Sequence, residues 1–257
     1  MLNSSSLSKQ ALIDYTLHLA DNTLVLAQRN SEWTGHGPIL EQDIALSNIA
    51  LDLLGQARML YQYAARLQGN GATEDSLAYL RDSWDFKNCL ITELDKGDWA
   101  KTMLRQFFFS VYQWCLYRQL LNSKDAELAA IAEKALKEVA YHLRWSGEWV
   151  VRLGDGTAES HQRIANALLD LWPFTGELTT PAGYEQTLAA EGIAADPASF
   201  KNEWLDKVST VLQEATLAIP PGQWMQSGGK QGKHTEHLGY VLAEMQYLQR
   251  TYPGSEW

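Results

Sequence analysis

Apolar residues recur every three or four positions along most of this chain, which is the spacing of amphipathic helices. The pattern predicts four long helices at 8–29, 39–68, 99–122 and 125–153. Segment 125–153 has the clearest stripe: Leu128, Ile131, Ala135, Val139, Leu143 and Val150. Asp125 is predicted to cap its start, and the "GDG" run after Leu153 to end it.

Segment 39–68 is apolar on almost every side, so we expect it to be central and buried. Shorter helices are predicted in pieces over 74–94 and then at 158–178, 182–191, 197–217 and 234–251. No alternating strand pattern interrupts them. The sequence therefore predicts an all-α protein, a single domain over 1–257 built on four long antiparallel helices.

Composition narrows the function classes. The chain has 257 residues and a net charge of −10 without a basic run, which argues against nucleic acid or a membrane surface as partner. Lys230 and Lys233 remain local basic spots that could hold a phosphate. Cys89 and Cys115 lack metal-ligand or redox spacing, so we expect buried free thiols. With no signal-like N-terminus and no spanning segment, we predict a cytoplasmic protein.

One pair of residues raises a metal hypothesis. Glu138 and His142 lie four residues apart on segment 125–153. A di-iron bundle uses Glu-x-x-His on two helices and a further Glu on each of the other two. No acidic residue here has a histidine three positions later, and segment 99–122 contains no carboxylate. We interpret the pair as buried and internally hydrogen-bonded, the alternative being a lone metal ligand.

A second candidate lies near the C-terminus. His234 and His237, with Glu236 between them, follow a glycine-rich loop. Two imidazoles could bind zinc, but a third ligand at suitable spacing is missing, and a loop anchor or an interface contact is the alternative. The loop lacks P-loop spacing, and no nucleophile elbow occurs. From these residues alone, the chain is a metal-free helical scaffold or binding protein.

Several long stretches carry a resemblance that covers nearly the whole chain. They resemble the C-type structural subunit of bacterial ring-1,2-phenylacetyl-CoA epoxidase, in the phenylacetic acid catabolic protein family. The stretches are "DNTLVLAQRNSEWTGHGPILEQDIALSNIALDLLGQARMLYQYAA", "AIAEKALKEVAYHLRWSGEWVVRLGDG", "AEGIAADP" and "GGKQGKHTEHLGYVLAEMQYLQR".

The resemblance implies a ferritin-like four-helix bundle whose di-iron site has been lost. Laid on the family's iron-binding motifs, the ligand positions are occupied by Thr23, Leu53, Gln56, Ser110, Val139 and His142. It further implies a chain that is not catalytic by itself and that pairs with, and stabilises, a homologous catalytic A subunit holding the di-iron centre. A small B subunit joins these assemblies, and a reductase with FAD and an iron–sulfur cluster passes electrons from NADPH for epoxidation by O2.

The resemblance also implies contact with the coenzyme A moiety of phenylacetyl-CoA. Two segments carry that expectation: Asp85, Phe86, Lys87 and Asn88, and more weakly Gln186, Thr187 and Leu188. Lys87 would suit a phosphate and Phe86 an adenine face, the alternative being a polar connection between helices. The competing function is an independent metal-dependent helical-bundle oxygenase that uses Glu138, His142, His234 and Glu236.

Overall fold

The computed structural model describes residues 4–222 and 224–255, and within them every regular element is a helix, with no strand. The all-α prediction is confirmed. The α-helices, numbered α1 to α10, are in order Ser4–Ser31, Leu40–Gln68, Glu74–Tyr79, Leu90–Glu93, Trp99–Leu120, Ala126–Gly154, Ala158–Leu171, Gly183–Glu191, Lys201–Glu214 and Glu236–Thr251.

The long helices begin and end close to the predicted positions because local signals set them. The Asp125 carboxylate accepts a hydrogen bond from the Leu128 amide at 3.0 Å, which confirms it as the cap of α6. The helix predicted to run to residue 178 instead ends at Leu171, and two 3₁₀ turns follow, Trp172–Phe174 and Gly176–Thr179. Pro173 has no amide hydrogen to continue the helix, which accounts for the early end.

The chain forms two compact units. The first comprises the described residues up to Asp95, Ala182–Leu188, and those from Gly228 onward. In it α1 and α2 run antiparallel as a long pair, and α3, α4 and α10 pack on them. Helix α8 starts in this unit and ends in the second.

The second unit comprises Lys96–Pro181 and Ala189–Ser227. Helices α5 and α6 form its antiparallel pair, with α7 and α9 packed on them. An aromatic cluster fills its core: the rings of Phe108, Trp172 and Trp204 lie 5.9–6.1 Å apart, centroid to centroid. The Trp204 indole donates to the Phe108 carbonyl at 3.2 Å, so its polar end is satisfied. The prediction of one domain over 1–257 is not decided by this division and stays a prediction.

One prediction about α2 is wrong. The apolar pattern predicts burial on all sides of this helix, yet Leu40, Ile44 and Leu51 expose 71%, 51% and 64% of their surface. Only the opposite face, with Leu46, Ile49, Leu53 and Leu60, is buried. The number of apolar residues in a helix does not show whether all its faces are buried within the chain or whether one apolar face is exposed on the surface.

The structure also bears on the two cysteines and on membrane-spanning helices. Cys89 and Cys115 are buried and free, as predicted. Across the part of the chain that the structure describes, no helix combines the length and apolar character needed to cross a bilayer.

Candidate ligand-binding site

Polar side chains on the buried face of α1 hold residues 86–89, a segment without regular structure that follows a 3₁₀ turn, Ser83–Asp85, and contains most of the predicted "DFKN" residues. The Asp21 carboxylate accepts from the Lys87 amide at 2.8 Å, and the Asn22 side-chain oxygen accepts from the Cys89 amide at 2.7 Å. His18 donates from Nδ1 to the Lys87 carbonyl at 2.7 Å. Because side chains of one helix satisfy successive backbone groups, this segment has a fixed position despite its lack of regular structure.

The charge of the buried Asp21 carboxylate is balanced by Arg81, whose side chain exposes 12% of its surface. Arg81 donates from Nη1 to Asp21 Oδ2 at 3.2 Å and from Nη2 to Oδ1, and the Tyr61 hydroxyl donates to Oδ1 at 2.6 Å. Burial lowers the Arg81 pKa, but Asp21, Tyr61 and Asp85 together outweigh burial and the net pKa is raised. Burial and then Asp21 raise the pKa of Tyr61. Arg81 therefore stays charged and Tyr61 stays neutral, and both donate hydrogen bonds to the Asp21 carboxylate.

A second buried ion pair joins α8 to the glycine-rich loop. Glu185 Oε2 accepts from the Lys230 ammonium at 2.8 Å and from the Ala182 amide at 2.7 Å. Both side chains are almost fully buried. The interpretation of Lys230 as a phosphate-binding spot is therefore wrong, because its charge is inside the fold and already paired.

His18 is the third member of this buried cluster, with Nε2 3.7 Å from Glu185 Oε1. Its pKa is lowered to about 4, mainly by burial; Lys230 lowers it further, while Glu185 raises it. His18 is thus neutral near pH 7. That state leaves the proton on Nδ1, where it is used in the bond to the Lys87 carbonyl.

The four residues of the first predicted segment have unequal exposure. Asp85 is exposed and Lys87 is half-buried, whereas Phe86 and Asn88 are buried. The Arg81 guanidinium lies 4.2 Å from the Phe86 ring centroid, so this ring is covered rather than offered to an adenine.

In the second predicted segment, Gln186 and Thr187 are exposed and Leu188 is buried. The two segments are neighbours in the first unit. Lys87 Nζ lies 5.8 Å from the ring centroid of Tyr184, two residues before Gln186, and 3.6 Å from Asp14 Oδ1. The structure thus brings together the two segments that the sequence singled out. Their role in binding stays a prediction.

A polar cleft of about 430 Å³ opens beside Lys87. Asp14, Arg81, Asp85 and Lys87 supply its charged groups, and Trp84 stands at its edge with 79% of its surface exposed. An ammonium group beside an uncovered indole is suited to an anionic ligand with a flat aromatic part. Trp84 was not predicted as a site residue, although a tryptophan inside the charged run "RDSWDFKN" is a signal of an exposed aromatic side chain.

His234 anchors the loop before α10. Its Nδ1 lies 2.7 Å from Glu93 Oε2 and its Nε2 lies 2.9 Å from the Phe86 carbonyl, so both nitrogens face acceptors. Burial lowers its pKa, but Glu93, the Phe86 carbonyl and Asp21 together outweigh burial and the net pKa is raised. The loop-anchor interpretation is confirmed for His234. The zinc interpretation is wrong here, since both ring nitrogens are already engaged by acceptors.

The six positions that the resemblance assigns to iron ligands are all buried: Thr23, Leu53 and Gln56 in the first unit, and Ser110, Val139 and His142 in the second. Two of their hydroxyls are used within their own helices. Thr23 donates to the Ala20 carbonyl at 2.9 Å, and Ser110 accepts from the Gln106 side-chain amide at 2.9 Å.

Among the described residues, no group of three or more His, Cys, Asp or Glu is arranged to hold a metal ion. His142 is buried and Glu138 is half-buried, both on α6 in the second unit. Their predicted pairing stays a prediction, as does the loss of the iron site.

These features define an all-helical protein with a cleft lined by charged side chains on one of its two units. A family model described as "Phenylacetic acid catabolic protein" matches residues 2–257. The chain belongs to that family, and the predicted ferritin-like helical fold class is confirmed.

The chain is also similar to a curated protein of Escherichia coli (strain K12), the C-type subunit of 1,2-phenylacetyl-CoA epoxidase. The two are 50% identical over 246 residues, which is 96% of this chain and 99% of that protein. The resemblance found in the sequence is confirmed.

Proposed function

We propose that this chain is a structural, non-catalytic subunit of a multicomponent 1,2-phenylacetyl-CoA epoxidase of aerobic phenylacetate degradation. The observation that carries the proposal is the similarity to the C-type subunit of that enzyme, 50% identical over almost the full length of both proteins. In this proposal the chain pairs with a homologous A subunit that holds the di-iron centre. A small B subunit, and a reductase with FAD and an iron–sulfur cluster, complete a cytoplasmic complex that uses NADPH and O2.

The side chains at the former ligand positions support a non-catalytic role. Leu53 and Val139 have no atom that can bind iron, and both are fully buried. Thr23 and Ser110 place neutral hydroxyls where a di-iron site needs carboxylates. The residues present do not fit a di-iron centre, so we derive no step of the reaction in this chain. Its contribution to catalysis is to support the partner and shape the substrate site.

The cleft beside Lys87 supports contact with the coenzyme A part of the substrate. Coenzyme A carries phosphates and an adenine, which match an ammonium group and an exposed aromatic face. We assign the phosphate contact to Lys87, as the sequence suggested. Trp84 replaces Phe86 as the aromatic face, because the Phe86 ring is buried under Arg81 while the Trp84 ring is exposed.

Co-expression with an A-type subunit tests the assembly. We expect the two chains to co-purify and to elute from gel filtration as one stoichiometric complex at micromolar concentration. Separate elution at that concentration would overturn the proposed pairing.

Metal analysis tests the non-catalytic role. We expect the purified chain alone to hold no stoichiometric iron. We expect iron binding to require the restored ligands of a variant with Thr23→Glu, Leu53→Glu, Gln56→His, Ser110→Glu and Val139→Glu. Stoichiometric iron and an oxo-bridge absorption band in the unmodified chain would favour the competing hypothesis of an independent metal-dependent oxygenase.

A further inference from the structure

An apolar groove of about 640 Å³ opens in the second unit, between α6 and α9. That volume is within the range of small-molecule binding pockets. The Phe107 ring of α5 forms part of its floor, and aliphatic side chains of the two helices form its walls: Leu143, Val151 and Val211. The groove shares no residue with the cleft beside Lys87, so the proposed function does not account for it.

Gly147 keeps this groove open. It lies midway along the α6 wall, and a Cβ atom built on it would stand 3.5 Å from the Phe107 ring and 4.0 Å from the Val211 side chain. These are ordinary van der Waals distances, so an alanine would fit, whereas a longer side chain would extend into the groove. Glycine inside a helix costs stability relative to alanine, and here that cost coincides with open space.

The two helices run in the same direction along the groove. Gly147 of α6 approaches Val211 of α9, and further along both helices Gly154 approaches Ala215. The second approach is so close that a Cβ atom on Gly154 would overlap the Ala215 carbonyl oxygen. The carboxyl ends of α6 and α9 therefore meet and close one end of the groove, which runs for about 12 Å along α6.

The opposite end of the groove carries positive charge. Arg144 and Lys207 each stand about one turn before the point where α6 and α9 first approach, so both lie away from the closed end. Lys207 Nζ lies 4.0 Å from the ring centroid of Trp114, and Arg144 Cζ lies 5.8 Å from that of Tyr141. A cation over an aromatic ring keeps its net charge, so both side chains can still attract an anion.

Two acidic residues also border the groove, but neither cancels that charge. Glu148 lies 3.8 Å from Arg152, one turn later on α6. Glu214 is the last residue of α9, so it belongs to the closed end, where the carbonyl groups of two helix ends also disfavour an anion. An anionic group is therefore best accommodated at the open end, with any apolar part of the same molecule toward the closed end.

From this arrangement we infer that the groove binds a monocarboxylate with an unbranched aliphatic body, of about the size of octanoate. The carboxylate lies between Arg144 and Lys207, and the chain lies along Gly147 and the Phe107 ring. A ligand with many polar groups is disfavoured because the walls between the two ends are apolar. This inference stands apart from the proposed function, since it rests on residues that the coenzyme A cleft does not use.

Calorimetric titration of the full chain with octanoate tests the inference. We expect saturable binding of one octanoate per chain, and weaker binding of octanamide, which has the same shape without the charge. Lys207→Gln should weaken octanoate binding about tenfold, the loss of one charge-assisted contact, and should leave octanamide binding as it was. Lys201→Gln, at an exposed lysine of the same helix, is the matched control and should affect neither ligand.

Gly147→Leu tests the location. Its side chain fills the groove, so octanoate binding should be lost. The free energy of unfolding should be unchanged or higher, because the new Cβ atom meets only ordinary contacts and leucine favours a helix. Gly55→Leu, at an exposed glycine of α2 with open space above it, is the control and should bind octanoate like the unmodified chain.

Four results would each overturn the inference. They are no saturable binding at millimolar octanoate, octanamide bound as tightly as octanoate, a folded Gly147→Leu variant that still binds octanoate, and equal losses in a variant and its control. Coenzyme A binding is measured on other residues and with the complex, so the proposed function and this inference can fail separately.

Discussion

Asp21 on α1 and Arg81, sixty positions later, form a largely buried ion pair in which the guanidinium donates to both carboxylate oxygens. The same carboxylate accepts from the Lys87 amide, so one side chain fixes both ends of the segment that borders the cleft. The order of this segment depends on a tertiary contact rather than on any local propensity. The stability of this segment and the proposed binding at the cleft are therefore linked.

Arg81→Met tests that linkage. Removing the guanidinium leaves the Asp21 carboxylate buried with only the Tyr61 and Lys87 donors, and we expect a loss of about 3–5 kcal/mol in the free energy of unfolding. Arg58→Met is the matched control, because Arg58 pairs with Glu74 at the surface and exposes 70% of its side chain. It should cost less than about 1 kcal/mol. Urea denaturation of both variants makes the comparison, and equal losses would contradict the assigned role of Asp21.

The sequence predicts the long helices well, but it does not predict the ion pairs inside the fold. Apolar spacing, the Asp125 cap and the glycines after α6 are local signals, so they placed the long helices correctly. The pairs Asp21–Arg81 and Glu185–Lys230 join residues far apart in the chain. No local sequence pattern predicts which acidic residue pairs with which basic one. The sequence shows only one sign of such a pair, a charged residue inside a segment predicted to be helical, as at Asp21 in "HLADNTL".

The candidate binding site was predicted in position but not in detail. The resemblance located the segments around Lys87 and Gln186, and the structure made them neighbours. The charged run that contains Trp84 and Phe86 indicates an exposed aromatic side chain but not which of the two it is, because packing decides which ring turns inward. The exposed face of α2 was missed for a related reason, since apolar count carries no information about what covers a helix.

His18 makes the fold sensitive to acid. Its folded pKa of about 4 lies below the ordinary value of 6.5, so the unfolded chain takes up a proton first as the pH falls. The free energy of unfolding therefore falls as the pH drops from about 6.5 toward about 4, by up to about 3 kcal/mol in all. His18→Asn keeps an amide donor near the Lys87 carbonyl but cannot titrate.

Urea denaturation at about pH 7 and about pH 5 measures that effect. Between these conditions the stability of His18→Asn relative to the unmodified chain should rise by about 2 kcal/mol. His36→Asn, on the exposed turn after α1, should leave the pH dependence as it was. An unchanged slope in the His18 variant would show that other groups carry the acid sensitivity.

His234 should have the opposite pH dependence. Its folded pKa is raised above 6.5 because Glu93, the Phe86 carbonyl and Asp21 together outweigh burial. Its stabilising contribution is then complete below about pH 6.5 and is lost as the pH rises through the folded value. NMR titration of the imidazole signals should show His234 titrating above the ordinary histidine range and His18 below it. Glu93→Gln should lower the His234 pKa, and a His234 pKa unaffected by that change would contradict the assigned pair.

The cleft beside Lys87 can be tested with coenzyme A itself, using the complex with the A-type subunit. Lys87→Ala should weaken binding about tenfold, the loss of one charge-assisted contact of about 1.4 kcal/mol. Trp84→Ala should weaken binding of coenzyme A, but should have a smaller effect on a phosphopantetheine fragment that lacks the adenine. Lys137→Ala, at an exposed lysine of α6, is the control for lost positive charge and should leave affinity unchanged. Calorimetric titration gives each affinity. If Trp84→Ala lowered the affinity for coenzyme A and for the fragment equally, the indole would not contact the adenine, and the assignment of Lys87 to a phosphate would still stand.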